Sequence, residues 1–321
     1  MDIYKAVVDY ISNLTIMKEW PEARSILDHA ASAKPRDWRL PVQICEAVGG
    51  ASQAAIPASA SLACALIGIL LVDDMLDEDP RGEYRQMGEA QAANFASAFI
   101  SLASQAILAS EVGPSVKLSA LGSLHRMLGT LALGQYLDSQ NPTDEDGYWR
   151  VVRAKSAPFF ACAMELGALF GGAADETVSG IEKIGGIYGE MIQIYDDMND
   201  CMAAPANPDW TQGRSPLPIL FAQSVDHPMR ARFLDLRAQV PDAQALREAQ
   251  KILIECGAIS YCIDQLLRRY ESARRALNTV RLAHSDRMEA VLEELVAPVW
   301  RLLEMAGTEG MFESLPAAPA P

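Results

Sequence analysis

The sequence predicts an all-α fold, and three observations carry that prediction. Apolar residues recur at three- and four-residue spacing through most of the chain. No run alternates apolar and polar residues as a half-buried strand does. Half of the 321 residues are hydrophobic while only 7% are aromatic, so the core is written in Ala, Leu, Ile and Met. No stretch reads as a linker between two cores, so residues 1–311 are expected to form a single helical domain, with 312–321 a disordered tail.

Taken in order, Tyr4 to Ala31 carries helical periodicity with a break at Trp20-Pro21. Gly49-Gly50 closes a helix, and another runs from Pro57 into the acids at 73–77, punctuated by Pro80-Arg81-Gly82. Helices are expected over Gly88–Ser110, Val116–Leu137, Thr143–Phe170 and Glu176–Asp200. Residues 201–216, with three prolines and one glycine, are expected to be a loop. Helix resumes at Leu217, breaks at His227-Pro228 and Pro241-Asp242, and continues as two long helices to Ala306.

A formal charge of -15 argues against nucleic-acid and anionic-membrane partners, which carry the same sign, and suits a protein that binds metal cations. Cys45, Cys64, Cys162, Cys201, Cys256 and Cys262 form no CxxC pair and mostly sit in apolar runs, as buried thiols in a reducing compartment do. The N-terminus shows no secretory pattern. The uncharged stretch Ala47–Val72 is interrupted by Gly49-Gly50 and Pro57 and is expected to be a core helix rather than a membrane span. A cytoplasmic protein is expected.

Asp73 and Asp77 stand four apart at the end of an almost uncharged helical run, which places both carboxylates on one face. Asp196 and Asp200 repeat the arrangement at the end of a second apolar run, with Asp74 and Asp197 beside the leading acids. A single such string reads as an ordinary solvated acidic face. Two copies, each on its own apolar helix, point to a hard divalent cation held between them, and magnesium takes such oxygen ligands while bridging to phosphate. Neither cluster has the alternating ligands, glycine and distal glutamate of a calcium loop. His29, His125, His227 and His284 are scattered away from both clusters and read as structural or solvent-facing.

With these motifs the chain resembles the trans-isoprenyl diphosphate synthases, the polyprenyl synthetase family. LLVDDMLDEDPRG matches the first aspartate-rich motif and GEMIQIYDDMND the second. Between them stand Gly134-Gln135 with Asp138, then Lys155-Ser156, and after them Gly213-Arg214-Ser215-Pro216-Leu217-Pro218, all in the family's order over residues 30 to 225. The resemblance implies an isoprenoid-synthase-type antiparallel helical bundle around a central cavity, commonly assembled as a homodimer. It implies magnesium, three ions once diphosphate is bound, on Asp73, Asp77 and Asp196, with Asp200 close by and Asp74 and Asp197 supporting. Arg81, Lys155 and Arg214 would clamp the leaving diphosphate of an allylic substrate, and Gln193 would line the cation's side. Outside this motif order each of the three cations would read as a snorkelling surface residue.

The acceptor side departs from the family's pattern. Leu66 stands where chain-elongating members carry a histidine, the arginine pair has contracted to Arg81 followed by Gly82, and only Lys34, Arg36 and Arg39 stand for the basic segment that holds isopentenyl diphosphate. Two functions follow. In the first, the cation condenses with isopentenyl diphosphate, with Lys34, Arg36 and Arg85 replacing the missing ligands. Cys64, Ala65, Gly68 and Ile69 then offer small side chains before the first motif, and the product has about twenty carbons or more. In the second, the acceptor site is repurposed and the cation is cyclised, quenched by water or given to another nucleophile, as in a terpene synthase. Elongation leads on family grounds. A regulatory partner subunit comes last, because both aspartate clusters are intact.

Overall fold

The computed structural model describes residues 1–305, and the expected tail at 312–321 lies outside the described residues. The helices are α1 (Ile3–Ser12), α2 (Pro21–Ser32), α3 (Leu40–Ala47), α4 (Ile56–Leu76), α5 (Tyr84–Met87) and α6 (Glu89–Leu108), then α7 (Pro114–Asp138), α8 (Glu145–Lys155), α9 (Ala157–Phe170) and α10 (Asp175–Met202). After them come α11 (Pro208–Thr211), α12 (Leu217–Ser224), α13 (Arg230–Arg237), α14 (Ala243–Glu255), α15 (Ala258–Leu277) and α16 (Ser285–Met305), with no strand among the described residues.

Proline opens α2, α3, α4, α7, α9, α11 and α12, where its missing N–H costs nothing and its fixed φ suits the first turn. Asp144 and Asp242 cap α8 and α14 by accepting from Gly147 N, and from Gln244 N and Ala245 N.

Three expectations need correction. Thr143–Phe170 is two helices, because Pro158 lacks a donor for a continuous ladder and the chain turns at Ser156. The stretch 201–216 holds the end of α10 and the short α11, capped by Asn207. Three helices, not two, follow Pro241-Asp242, since Gly257 takes a left-handed φ of 85° and separates α14 from α15.

α4, which carries the first aspartate cluster, is among the most apolar and most enclosed helices. Ser52–Leu76 is apolar and long enough to cross a membrane by composition, yet 72% of its most apolar window is buried inside the protein. α4 packs along α6 and against α1, while α10 lies between α9 and α15. The main core spans these helices, and a second cluster around Trp210 and Phe233 fills the space under α12 to α15.

Glycine sets how closely the site-bearing helices approach. A Cβ on Gly134 of α7 would collide with the Ala154–Lys155 peptide, 2.6 Å from the Ala154 carbonyl. One on Gly189 of α10 would fall 2.7 Å from Ala157 Cα. The joint between α8 and α9, which carries Lys155 and Ser156, is thus gripped from both sides by bare backbone.

Candidate active site

The last turns of α4 and α10 bring the two aspartate clusters to one polar cavity of about 290 Å³, lined by Asp73, Asp77, Asp196, Asp197 and Asp200. Lys155 from the end of α8 and Arg214 from the loop before α12 enter the same cavity. Lys155 Nζ lies 2.7 Å from Asp138 Oδ2 and 3.4 Å from Asp73 Oδ1. Arg214 donates to Asp77 Oδ1 at 2.6 Å. Burial pushes the Lys155 ammonium down, but Asp138 and Asp73 outweigh it and hold its pKa above the ordinary lysine value.

The carboxylates are crowded. Burial, with Asp200 nearby, raises Asp196 to about 6. Asp74, raised to about 6 by burial and by Asp79, lies at the edge of the cluster and lines neither cavity described here. Burial and Asp77 raise Asp73 against the pull of Lys155, and Asp200 is also raised by burial. Hard oxygen donors in a confined site, with a cost to carrying charge together, fit a divalent cation such as magnesium. Among the described residues no group of three or more carboxylate, imidazole or thiol side chains stands in holding distance of one ion. Lys155 and Arg214 occupy the carboxylates in this arrangement.

Asp197 plays a different part from its neighbours. It is 4% exposed and accepts from Tyr148 Oη at 2.8 Å, Leu217 N at 2.8 Å and Gln193 Nε2 at 2.7 Å. Burial lifts its pKa to about 7 although all three donors oppose the shift. Its carboxylate ties α10 to α8 and to the start of α12. Gln193 is held in turn by Ser156 Oγ.

A second, apolar cavity of about 430 Å³ lies against the first, walled by Leu66, Ile69, Phe159, Phe160 and Ile192 among others. Asp73, Lys155, Gln193 and Asp196 line both cavities.

Other expected residues fall elsewhere. Arg81 is mostly exposed, forks onto Asp79 at 3.0 and 3.2 Å, and lines neither of these cavities but a surface groove by Trp20 and His29. Lys34 is exposed and lines neither cavity. Arg36 does line the apolar cavity, 3.8 Å from Glu294, and Arg39 approaches the same glutamate at 3.3 Å. Of the expected chain-length residues only Ile69 lines the apolar cavity. Cys64 and Ala65 are fully buried, and a Cβ on Gly68 would stand 2.9 Å from Ile100 Cγ1 and 3.0 Å from the Ala96 carbonyl, so Gly68 serves the packing of α4 on α6.

Sequence reasoning did not single out Tyr148, Asp209 and Asn141, which line the polar cavity, or Asp37, which lines the apolar one. Asp138 entered only as part of a motif, yet it receives Lys155. The i, i+3 placement of Gln135 and Asp138 on one helix face was the available signal, and Gln135 Nε2 does reach Asp77 Oδ1 at 3.3 Å.

The all-α helical arrangement and a twin-aspartate cavity backed by an apolar pocket define an isoprenoid synthase fold. The chain belongs to the polyprenyl synthetase family, whose model matches residues 23–253, and it is a prenyltransferase. It is 26% identical over 298 residues to the geranylgeranyl diphosphate synthase of Methanosarcina mazei, covering 86% of this chain and 88% of that one. With the octaprenyl diphosphate synthase of Escherichia coli it shares 23% identity over 255 residues, 75% of this chain and 78% of the relative. The crystal structure of geranylgeranyl pyrophosphate synthetase from Pyrococcus horikoshii superposes with a TM-score of 0.77 at 20% identity, covering 92% and 94% of the two chains. A decaprenyl diphosphate synthase from Rhodobacter capsulatus does so with 0.77 at 18%, covering 92% and 95%.

Proposed function

We propose that this enzyme ionises an allylic isoprenyl diphosphate and joins the resulting cation to isopentenyl diphosphate, giving an all-trans prenyl diphosphate of about twenty carbons or more. The observation that carries the proposal is the shared wall of the two cavities: Asp73, Lys155, Gln193 and Asp196 face both a polar chamber and an apolar one. A diphosphate in the first and a prenyl chain in the second place the C–O bond to be broken at these four residues.

Asp73, Asp77, Asp196 and Asp200 would hold magnesium, whose chemistry is to neutralise the charge gathering on the leaving diphosphate. Lys155 and Arg214 transfer their N–H donors from Asp138 and Asp77 to the phosphate oxygens, where negative charge grows as the bond breaks. The apolar walls keep water from the allylic cation, and Gln193, oriented by Ser156 and Asp197, presents a polar atom at the junction. Arg36 and Arg39 supply the positive charge available to the acceptor's diphosphate, once Glu294 yields.

A second reading has its own support. Leu66 contributes only hydrocarbon to the acceptor side, and both arginines there already share Glu294. A cation formed with no diphosphate acceptor would be cyclised or quenched. Incubation with magnesium and geranyl, farnesyl or geranylgeranyl diphosphate, each with and without isopentenyl diphosphate, separates the two by mass spectrometry. Extension in five-carbon steps is expected from the first reading, and alcohol or hydrocarbon formed without isopentenyl diphosphate from the second.

The same reading places the enzyme in the cytoplasm as a homodimer. Leu118, Leu133 and Tyr136 stand 74%, 54% and 63% exposed on one face of α7, apolar surface that a second copy would cover.

A further inference from the structure

Three carboxylates line the apolar cavity: Asp37, Asp73 and Asp196. The last two belong to the proposed metal set, and a carboxylate committed to a cation is a poor proton acceptor. Asp37 stands outside that set, in the turn Arg36–Arg39 that leads into α3. Among the described residues its carboxylate forms no hydrogen bond and no ion pair within 4 Å, although Arg36 and Arg39 flank it in sequence and instead approach Glu294. An ionised side chain without a partner at an apolar wall is costly to keep. It becomes favourable when a positive charge arrives in the cavity, and the reaction generates one there.

We propose that this cavity has a further activity: it discharges the allylic cation without a diphosphate acceptor, with Asp37 as the base that takes the proton. The inference rests on the ionisation step proposed above. The allylic C–O bond breaks with its electron pair leaving on diphosphate. A C–H bond beside the cationic carbon then breaks, its electron pair forms a new C=C bond, and the proton passes to a carboxylate oxygen of Asp37. The products are a conjugated prenyl hydrocarbon, diphosphate and a proton later returned to water, with no oxidant or reductant needed. Lys155 is held protonated by Asp138 and Asp73. Tyr195, Ser156 and Gln193, which also line the cavity, are weak bases, and the departing diphosphate, the other base the reaction supplies, would lie in the polar chamber rather than among the apolar walls.

The test uses the purified full chain with magnesium and farnesyl diphosphate and no isopentenyl diphosphate. Diphosphate release is followed alongside hydrocarbon and alcohol, by gas chromatography with mass spectrometry, for the wild type, Asp37→Asn and Asp37→Glu. Hydrocarbon is expected from the wild type. Asp37→Asn should make at least about tenfold less, with alcohol a larger share of product, and Asp37→Glu should recover part of the loss. A merely structural role would not move the ratio of hydrocarbon to alcohol, and circular dichroism checks that each variant is folded. If the wild type makes no hydrocarbon here yet releases diphosphate once isopentenyl diphosphate is added, the inference is overturned and the ionisation reading stands. Equal hydrocarbon to alcohol ratios in wild type and Asp37→Asn overturn it as well. Absence of diphosphate release under both conditions overturns the ionisation reading and the inference with it.

Discussion

Lys155 is the residue on which most of the site's charge converges, bonded to Asp138 and close to Asp73 while lining both cavities. Replacing it with alanine removes a donor that the proposed ionisation directs at the leaving group, and such donors contribute roughly 10²–10³ in turnover. Steady-state kinetics of Lys155→Ala should therefore show kcat down by about that factor with helical content unchanged. The raised carboxylates make a second prediction. Asp74 and Asp196 at about 6 and Asp197 at about 7 lie above the usual value of about 4. Between these values the folded chain keeps protons that the unfolded chain has released, so these groups cost stability as pH rises. Without metal, the melting temperature contributed by them should fall from pH 5 to pH 7.5, and Asp196→Asn should flatten the fall. A steeper fall in that variant would contradict the assignment. The meeting of the two aspartate clusters at one cavity was legible in the sequence because they repeat at helical spacing on two apolar runs. Asp37 was not, since a single acid between two arginines gives no sign of which side of the chain meets a cavity.

Helix approach, more than helix existence, decides where those side chains meet. Gly134 lets α7 cross α8 at Lys155, and Gly134→Ala would drive a methyl into the Ala154–Lys155 peptide. A cost of about 1–3 kcal/mol is expected from such overpacking, together with a loss of kcat as Lys155 shifts, measurable by denaturant unfolding and kinetics on one preparation. Gly68→Phe should likewise destabilise the contact of α4 with α6 rather than shorten a product, because its methyl position meets Ile100 and Ala96. Periodicity revealed most helices, and prolines revealed most of their starts. It could not reveal that Gly68 turns toward α6 while Ile69, one residue on, turns to the cavity, because α4 is apolar on every side and its pattern has no preferred face. The break at Ser156 was hidden for a similar reason, as apolar residues continue across it.

At the scale of the whole molecule, a net charge of -15 coexists with a cavity proposed to bind a diphosphate. Lys155 and Arg214 alone do not reverse the seven aspartates that line the polar chamber, Asp73, Asp77, Asp138, Asp196, Asp197, Asp200 and Asp209, so substrate binding should depend steeply on divalent cation. The exposed apolar face of α7 leads to an expected dimer in sedimentation velocity, with Leu133→Glu shifting it toward monomer, and a monomeric wild type at micromolar concentration would contradict the dimer. Above all, the proposed ionisation requires both aspartate clusters to act on one diphosphate. Its most direct measurement is the magnesium-dependent release of diphosphate from an allylic isoprenyl diphosphate by the wild type, Asp73→Ala and Asp196→Ala, at matched circular dichroism. The wild type should turn over only with magnesium, and each substitution should abolish the release. Wild-type rates in both variants would contradict the account.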